Sequence, residues 1–171
     1  MKKLLLAFLV LSITAANLVH AAQGEPDGFR GIKWGAEDKA PLDLSPLQGQ
    51  KGSESFYEMK GELLQVGKAE IESIKYGFYK NKFYKGIIEF KSAESFKKLK
   101  EKLEEEYGTG KQPFAGTEKY LWDWPNVGIS LEYKAKTDTG SITYYYKPLQ
   151  KEKLVDKKLE EKIKRMKSHM D

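Results

Sequence analysis

Between Ser55 and Lys147 the apolar residues recur first at every second position, then along a helical stripe, then at every second position again. Few architectures accept that order. Ile74, Tyr76 and Phe78 alternate with Lys75, Gly77 and Tyr79, the pattern of a half-buried strand. Asn81-Lys82 supplies a tight turn, because Asn tolerates a left-handed backbone. The chain then returns over 83–90 with Tyr84, Ile88 and Phe90 expected on one face. A helix is expected over 93–107, where Phe96, Leu99, Leu103 and Tyr107 fall on one stripe, Ser92 caps the start and Gly108 ends the last turn. Strands follow at 118–124, 127–133 and 141–147, punctuated by Pro125-Asn126 and Asp138-Thr139-Gly140 and stopped by Pro148. Upstream, 56–59 and 63–66 read as short strands, and 36–52, rich in Pro, Gly, Asp and Ser, reads as irregular or briefly helical. Runs of strands with a helix after them predict an α+β domain. We expect a mainly antiparallel sheet of about five to six strands, helices on one face, one packed amphipathic helix and a charged C-terminal helix.

The two ends of the chain carry different signals. Lys2 and Lys3 precede an apolar run from Leu4 to Val10 that continues through Leu11 and Ile13, and Val19-His20-Ala21 offers short side chains at the positions an export peptidase reads. Residues 1–21 therefore read as a cleaved signal peptide, cut after Ala21, with Ala16 and Ala22 as alternatives. Export to an envelope compartment is expected, periplasmic first and extracellular second. Residues 22–28 read as a flexible leader, 29–148 as a single α+β domain and 149–171 as the charged C-terminal helix. That helix, placed at 151–170, has one thin apolar edge of Leu154, Val155, Leu159, Ile163 and Met166. Such an edge docks on the domain itself, on a partner or on a twin. No later apolar run is long enough for a transmembrane anchor.

The inventory of chemical groups is short. The 171 residues include no cysteine, which removes disulfides, thiolate catalysis and Cys-type zinc sites. Histidine occurs only at His20, inside the signal, and at His169, near the C-terminal end, so a Ser-His-Asp relay lacks its base. No His/Cys spacing or Asp-rich loop suits a metal, no cofactor motif is present, and Gly108-Thr109-Gly110-Lys111 lacks the spacing of a phosphate loop. A net charge of +5, with acidic residues interspersed and arginine only at Arg30 and Arg165, gives no strong ground for recognition of nucleic acid or of an anionic membrane. Carboxylates such as Asp123 and Glu132 are the remaining catalytic option, as in sugar hydrolysis. Asp123, however, lies between Trp122 and Trp124, and alternation sends it to the face opposite both rings.

Aromatic residues offer more. All ten tyrosines lie between Tyr57 and Tyr146, and Tyr120, Trp122 and Trp124 share one strand face. Such rings fill a helix-on-sheet core, or they stack on sugars and line apolar pockets. Tyr145 points away from Tyr144 and Tyr146 and is expected to be exposed. Trp122, Trp124 and Tyr145 are thus the candidate ligand-binding residues.

The stretch Gly28-Phe29-Arg30-Gly31-Ile32-Lys33-Trp34-Gly35, the later Ile74-Lys75-Tyr76-Gly77-Phe78-Tyr79 and the Tyr107-Gly108 helix ending are similar to patterns in small exported proteins of Gram-negative bacteria that have no assigned activity. The resemblance implies an envelope setting and brings no catalytic residues. In the first stretch Ile32 and Trp34 are expected to anchor the chain's start on the core, with Gly31 and Gly35 permitting tight backbone. The leading functional expectation is a non-enzymatic exported module that binds an envelope protein or ligand. The alternatives are a carboxylate enzyme acting on envelope glycan and a structural subunit that assembles through its C-terminal helix.

Overall fold

A computed structural model describes residues 24–37, 43–47 and 52–168. The expected signal peptide, His20 and His169 all lie outside the described residues. The architecture is α+β. One antiparallel sheet of seven strands carries a helix on each face, rather than five to six strands with both helices on one side. Along the chain come β1 (Gly28–Phe29), β2 (Ile32–Lys33), β3 (Leu44–Pro46), β4 (Glu54–Met59), β5 (Gln65–Val66), β6 (Ala69–Glu70), β7 (Ser73–Tyr79) and β8 (Lys82–Lys91). Helix α1 (Ala93–Tyr107), β9 (Lys119–Asp123), β10 (Val127–Lys134), β11 (Thr139–Tyr146) and α2 (Lys147–Lys167) complete it. The large sheet runs β3-β4-β7-β8-β11-β10-β9, and β1-β2 and β5-β6 form separate two-stranded ribbons. The additional strand, β3, is three residues long and lies in the Pro/Ser-rich stretch, too short to show alternation. Of the strand expected at 63–66 only β5 forms, and Leu63 and Leu64 are exposed.

One face of the sheet is the core. Ile74, Tyr76, Phe78, Ile88, Phe90, Ile129, Leu131 and Ile142 are buried there beneath Phe96, Leu99 and Leu103 of α1. The Ser92 side chain accepts from the Ser95 backbone N–H at 3.1 Å, and the Gly108 N–H reaches the Glu104 carbonyl, so both helix ends are satisfied as the sequence predicts. The β1-β2 ribbon seals one side. Phe29 lies 4.9 Å from the Tyr144 ring centroid and 5.7 Å from that of Tyr76. Its ring sits over Gly86, where an added Cβ would come within 2.4 Å. Trp34 lies parallel to Phe83 and Tyr146, and its indole N–H donates to the Pro26 carbonyl at 2.9 Å. Glu25 accepts from the Asn126 N–H at 2.6 Å, so the described part of the expected leader is bonded to the body.

The β7-β8 hairpin turns at Lys80-Asn81, one residue earlier than expected, with both residues left-handed as a tight two-residue turn requires. Its register slips by one residue. Gly77 pairs with Lys85 but Phe78 pairs with Phe83, leaving Tyr84 as an extra residue. This bulge corrects the expected face. Phe83, Ile88 and Phe90 point into the core, while Tyr84 turns to the opposite side with Tyr79 and Leu149. The redirected tyrosine is what α2 packs against. The second helix therefore sits on the face opposite α1, and it begins at Lys147 with Pro148 in its first turn, where a missing N–H costs nothing.

Candidate functional site

Two of the three candidate residues, Trp122 and Trp124, meet in one groove, and Tyr145 lies elsewhere. Trp122 is buried at 5 % exposure, packs over Gly110, and donates its indole N–H to the Gly108 carbonyl at 2.7 Å. It ties β9 to the end of α1, a core duty that its N–H partner makes stable. Trp124, just past the end of β9, is half-buried and meets the Tyr107 ring edge-on at 5.4 Å. With Trp122, Tyr107, Thr109, Lys111, Pro113 and Asp123 it lines a groove of about 550 Å³. Burial, reinforced by Tyr144 and by a bond to Glu106, pushes the Tyr107 hydroxyl well above the ordinary tyrosine range, so it stays protonated.

Asp123 is exposed and opposite the tryptophans, as alternation predicts. Its carboxylate meets Lys147 at 2.6 Å, and the same ammonium donates to the Trp124 carbonyl. One lysine at the start of α2 thus fixes the backbone of the groove's aromatic wall. Glu132 pairs with Lys119 at 3.4 Å, and Lys119 lies four residues before Asp123 on β9. Four strand residues span roughly 13 Å. Two-carboxylate sugar hydrolysis uses about 5–9.5 Å. The backbones of Asp123 and Glu132 stand further apart than that along the sheet, and each carboxylate is paired with a lysine.

Tyr145 lies on the face away from the core, but it is half-buried rather than exposed. Its ring covers Gly128 directly across on β10, where an added Cβ would fall 2.2 Å from the ring. Phe56 covers Gly77 in the same way. Lys85 stands between them in register, opposite Tyr145 on one side and Gly77 on the other. Burial and the nearby Lys153 charge lower the Lys85 amine below the ordinary lysine range, and Glu54 offsets part of this.

Sequence reasoning missed the polar joint that docks α2. Tyr84 donates to Glu54, Lys153 pairs with the same carboxylate, and Lys153 also reaches the Tyr84 hydroxyl at 3.1 Å. Burial opposes ionisation of Glu54. The bonds from Lys153 and Tyr84, with the charges of Lys153 and Lys85, outweigh it and hold the carboxyl below its ordinary range. A second set joins the hairpin turn, with Lys80 meeting Glu152 at 2.8 Å and Asp156 at 2.5 Å, and Tyr79 donating to Asp156. Burial, then the Asp156 bond, raises the Tyr79 hydroxyl to about 12. On the core side, Glu62 accepts from Tyr76 at 2.5 Å and pairs with Arg30 at 2.6 Å. No spacing rule connects residues so distant in sequence, and only the Tyr84 bulge brings the first set together.

Among the described residues no group of three or more His, Asp and Glu side chains is placed to hold a metal, and no helix is long and apolar enough to cross a membrane. Comparison with protein-family models, with curated proteins and with solved structures returned no match.

Proposed function

We propose that this chain is an exported, non-enzymatic binding module of the cell envelope, and that its ligand lies in the groove beside Trp124. The observation that carries the reading is the different fate of the three tryptophans. Trp34 lies against two parallel rings and Trp122 is only 5 % exposed, whereas Trp124, which lines the same open groove as Trp122, is half-buried and offers the larger free ring surface. Around it stand a protonated tyrosine, a threonine hydroxyl and a lysine. A hydroxylated ring with one apolar face, as in a sugar, meets both requirements: stacking area and hydrogen-bond partners. The expected signal peptide and the resemblance to small exported proteins support the envelope setting.

The test is a titration of the chain from Ala22 onward with a peptidoglycan disaccharide, followed by tryptophan fluorescence. The reading expects a saturable change that disappears in Trp124→Ala and persists in Tyr145→Phe. A flat titration, or an unchanged one in Trp124→Ala with the fold intact by near-ultraviolet circular dichroism, overturns it.

A further inference from the structure

Helix α2 leaves the body halfway along its length. Leu149, Lys153 and Asp156 fasten its first turns to the sheet, whereas every residue from Lys157 to Lys167 is exposed. Val155, Leu159, Ile163 and Met166, spaced four, four and three residues apart, form one stripe with exposures of 63 %, 55 %, 39 % and 52 %. At about 100° per residue this stripe lies roughly a quarter turn away from the docked face. It is therefore a second surface and not an extension of the joint. Its setting is strongly basic. Lys157, Lys158, Lys162, Lys164, Arg165 and Lys167 stand against only Glu160 and Glu161.

We infer that the distal half of α2 lies flat on an anionic lipid bilayer, with the stripe at the boundary between headgroups and acyl chains and the lysines on the lipid phosphates. Four features select this occupant. The net charge of the segment calls for a negative surface, which a twin does not offer, since it brings the same excess of cations. The stripe, about 17 Å long, is too small for the roughly 800 Å² per partner of a stable protein interface. Its cations are mostly lysines, which are depleted in protein interfaces but extend easily beside a buried apolar strip toward headgroups. Aliphatic side chains with no aromatic anchor suit a fluid surface better than a shaped pocket. The joint at Glu54, Lys153 and Asp156 sets the angle at which the domain is held. The inference rests on α2 alone and is independent of the groove beside Trp124.

The experiment is co-sedimentation of residues 22–171 with vesicles of phosphatidylcholine, and with vesicles in which about a third is replaced by phosphatidylglycerol. Binding is expected to the anionic vesicles only and to weaken steeply as salt is raised. The double variant Leu159→Gln/Ile163→Gln, at exposed positions that leave the core and the net charge untouched, is expected to lose at least about tenfold in affinity. Lys158→Glu/Lys162→Glu tests the charge separately and is expected to behave similarly. Near-ultraviolet circular dichroism confirms the fold of each variant. Absence of binding, equal binding to both vesicle types, or wild-type binding by the apolar variant overturns the inference. So does light scattering that shows a dimer converted to monomer by Leu159→Gln/Ile163→Gln, since the stripe would then belong to a second copy.

Discussion

The two helices are written in nearly the same code and are used in opposite ways. Each combines a lysine- and glutamate-rich surface with a narrow apolar stripe. In α1 the stripe is consumed, with Phe96, Leu99 and Leu103 buried and the charged side laced by pairs such as Lys98–Glu94 and Lys100–Glu104. In α2 only Leu149 is buried, ion pairs rather than apolar contacts do most of the docking, and the main stripe faces outward. Periodicity announces a helix with an apolar side but does not say what covers it. The difference lies in where each helix enters. Helix α1 starts from a capped strand end and crosses the apolar face of the sheet. Helix α2 starts at Lys147 and finds a largely polar face, whose apolar patch is formed by Tyr79 and by the Tyr84 that the bulge has turned outward.

The largest contrast should appear on truncating one leucine in each helix. Leu99→Ala, at a fully buried site, is expected to cost about 2–5 kcal/mol in urea denaturation. Leu149→Ala is expected to cost less, about 2 kcal/mol at most, because α2 can detach without unfolding the sheet. Its signature is faster hydrogen exchange in 149–156 with α1 unchanged. Were it to unfold the whole domain, the joint would be part of the cooperative core and the contrast would fail.

Smaller effects sharpen the comparison. Glu54→Gln should loosen α2 by about 1 kcal/mol, the modest value of a partly screened joint. Because the Glu54 carboxyl is held below its ordinary value of 4.5, its contribution is fully present above that pH and is lost as the pH falls through the lower folded-state value. The protection of wild-type α2, taken relative to the intrinsic exchange rate at each pH, should therefore fall on acidification below about pH 4.5, and Glu54→Gln should lack that dependence. Smallest of all, Ile163→Ala should change stability by no more than about 0.5 kcal/mol, since nothing in the domain covers it.

Much of the fold was legible where local rules act alone. The α1 bounds, its Ser92 cap and Gly108 end follow from residues within a turn of each other. Strands β7, β8, β10 and β11 follow from alternation with clear turn residues. The Tyr84 bulge was not legible, because a one-residue slip changes faces without changing composition, and the position of α2 depends on it. Strand β3 was too short to carry a period. The candidate site was legible in part. Alternation placed Trp122 and Trp124 on the face opposite Asp123, and the two tryptophans line one groove, but the glycine at 128 drew Tyr145 inward over its strand neighbour. A side chain beside a glycine in an adjacent strand fills the missing volume, and no single-strand pattern reports the neighbour.

Hydrogen exchange across the whole of residues 22–171, without ligand or lipid, tests the central claim most directly, namely that the apolar stripe of α1 is covered and that of α2 is open. The account predicts that α1 amides exchange only through global unfolding, that 149–156 exchange faster, and that 157–167 exchange fastest of the three. Protection of 157–167 equal to that of α1 in the free protein would contradict it, because the stripe from Val155 to Met166 would then already be covered.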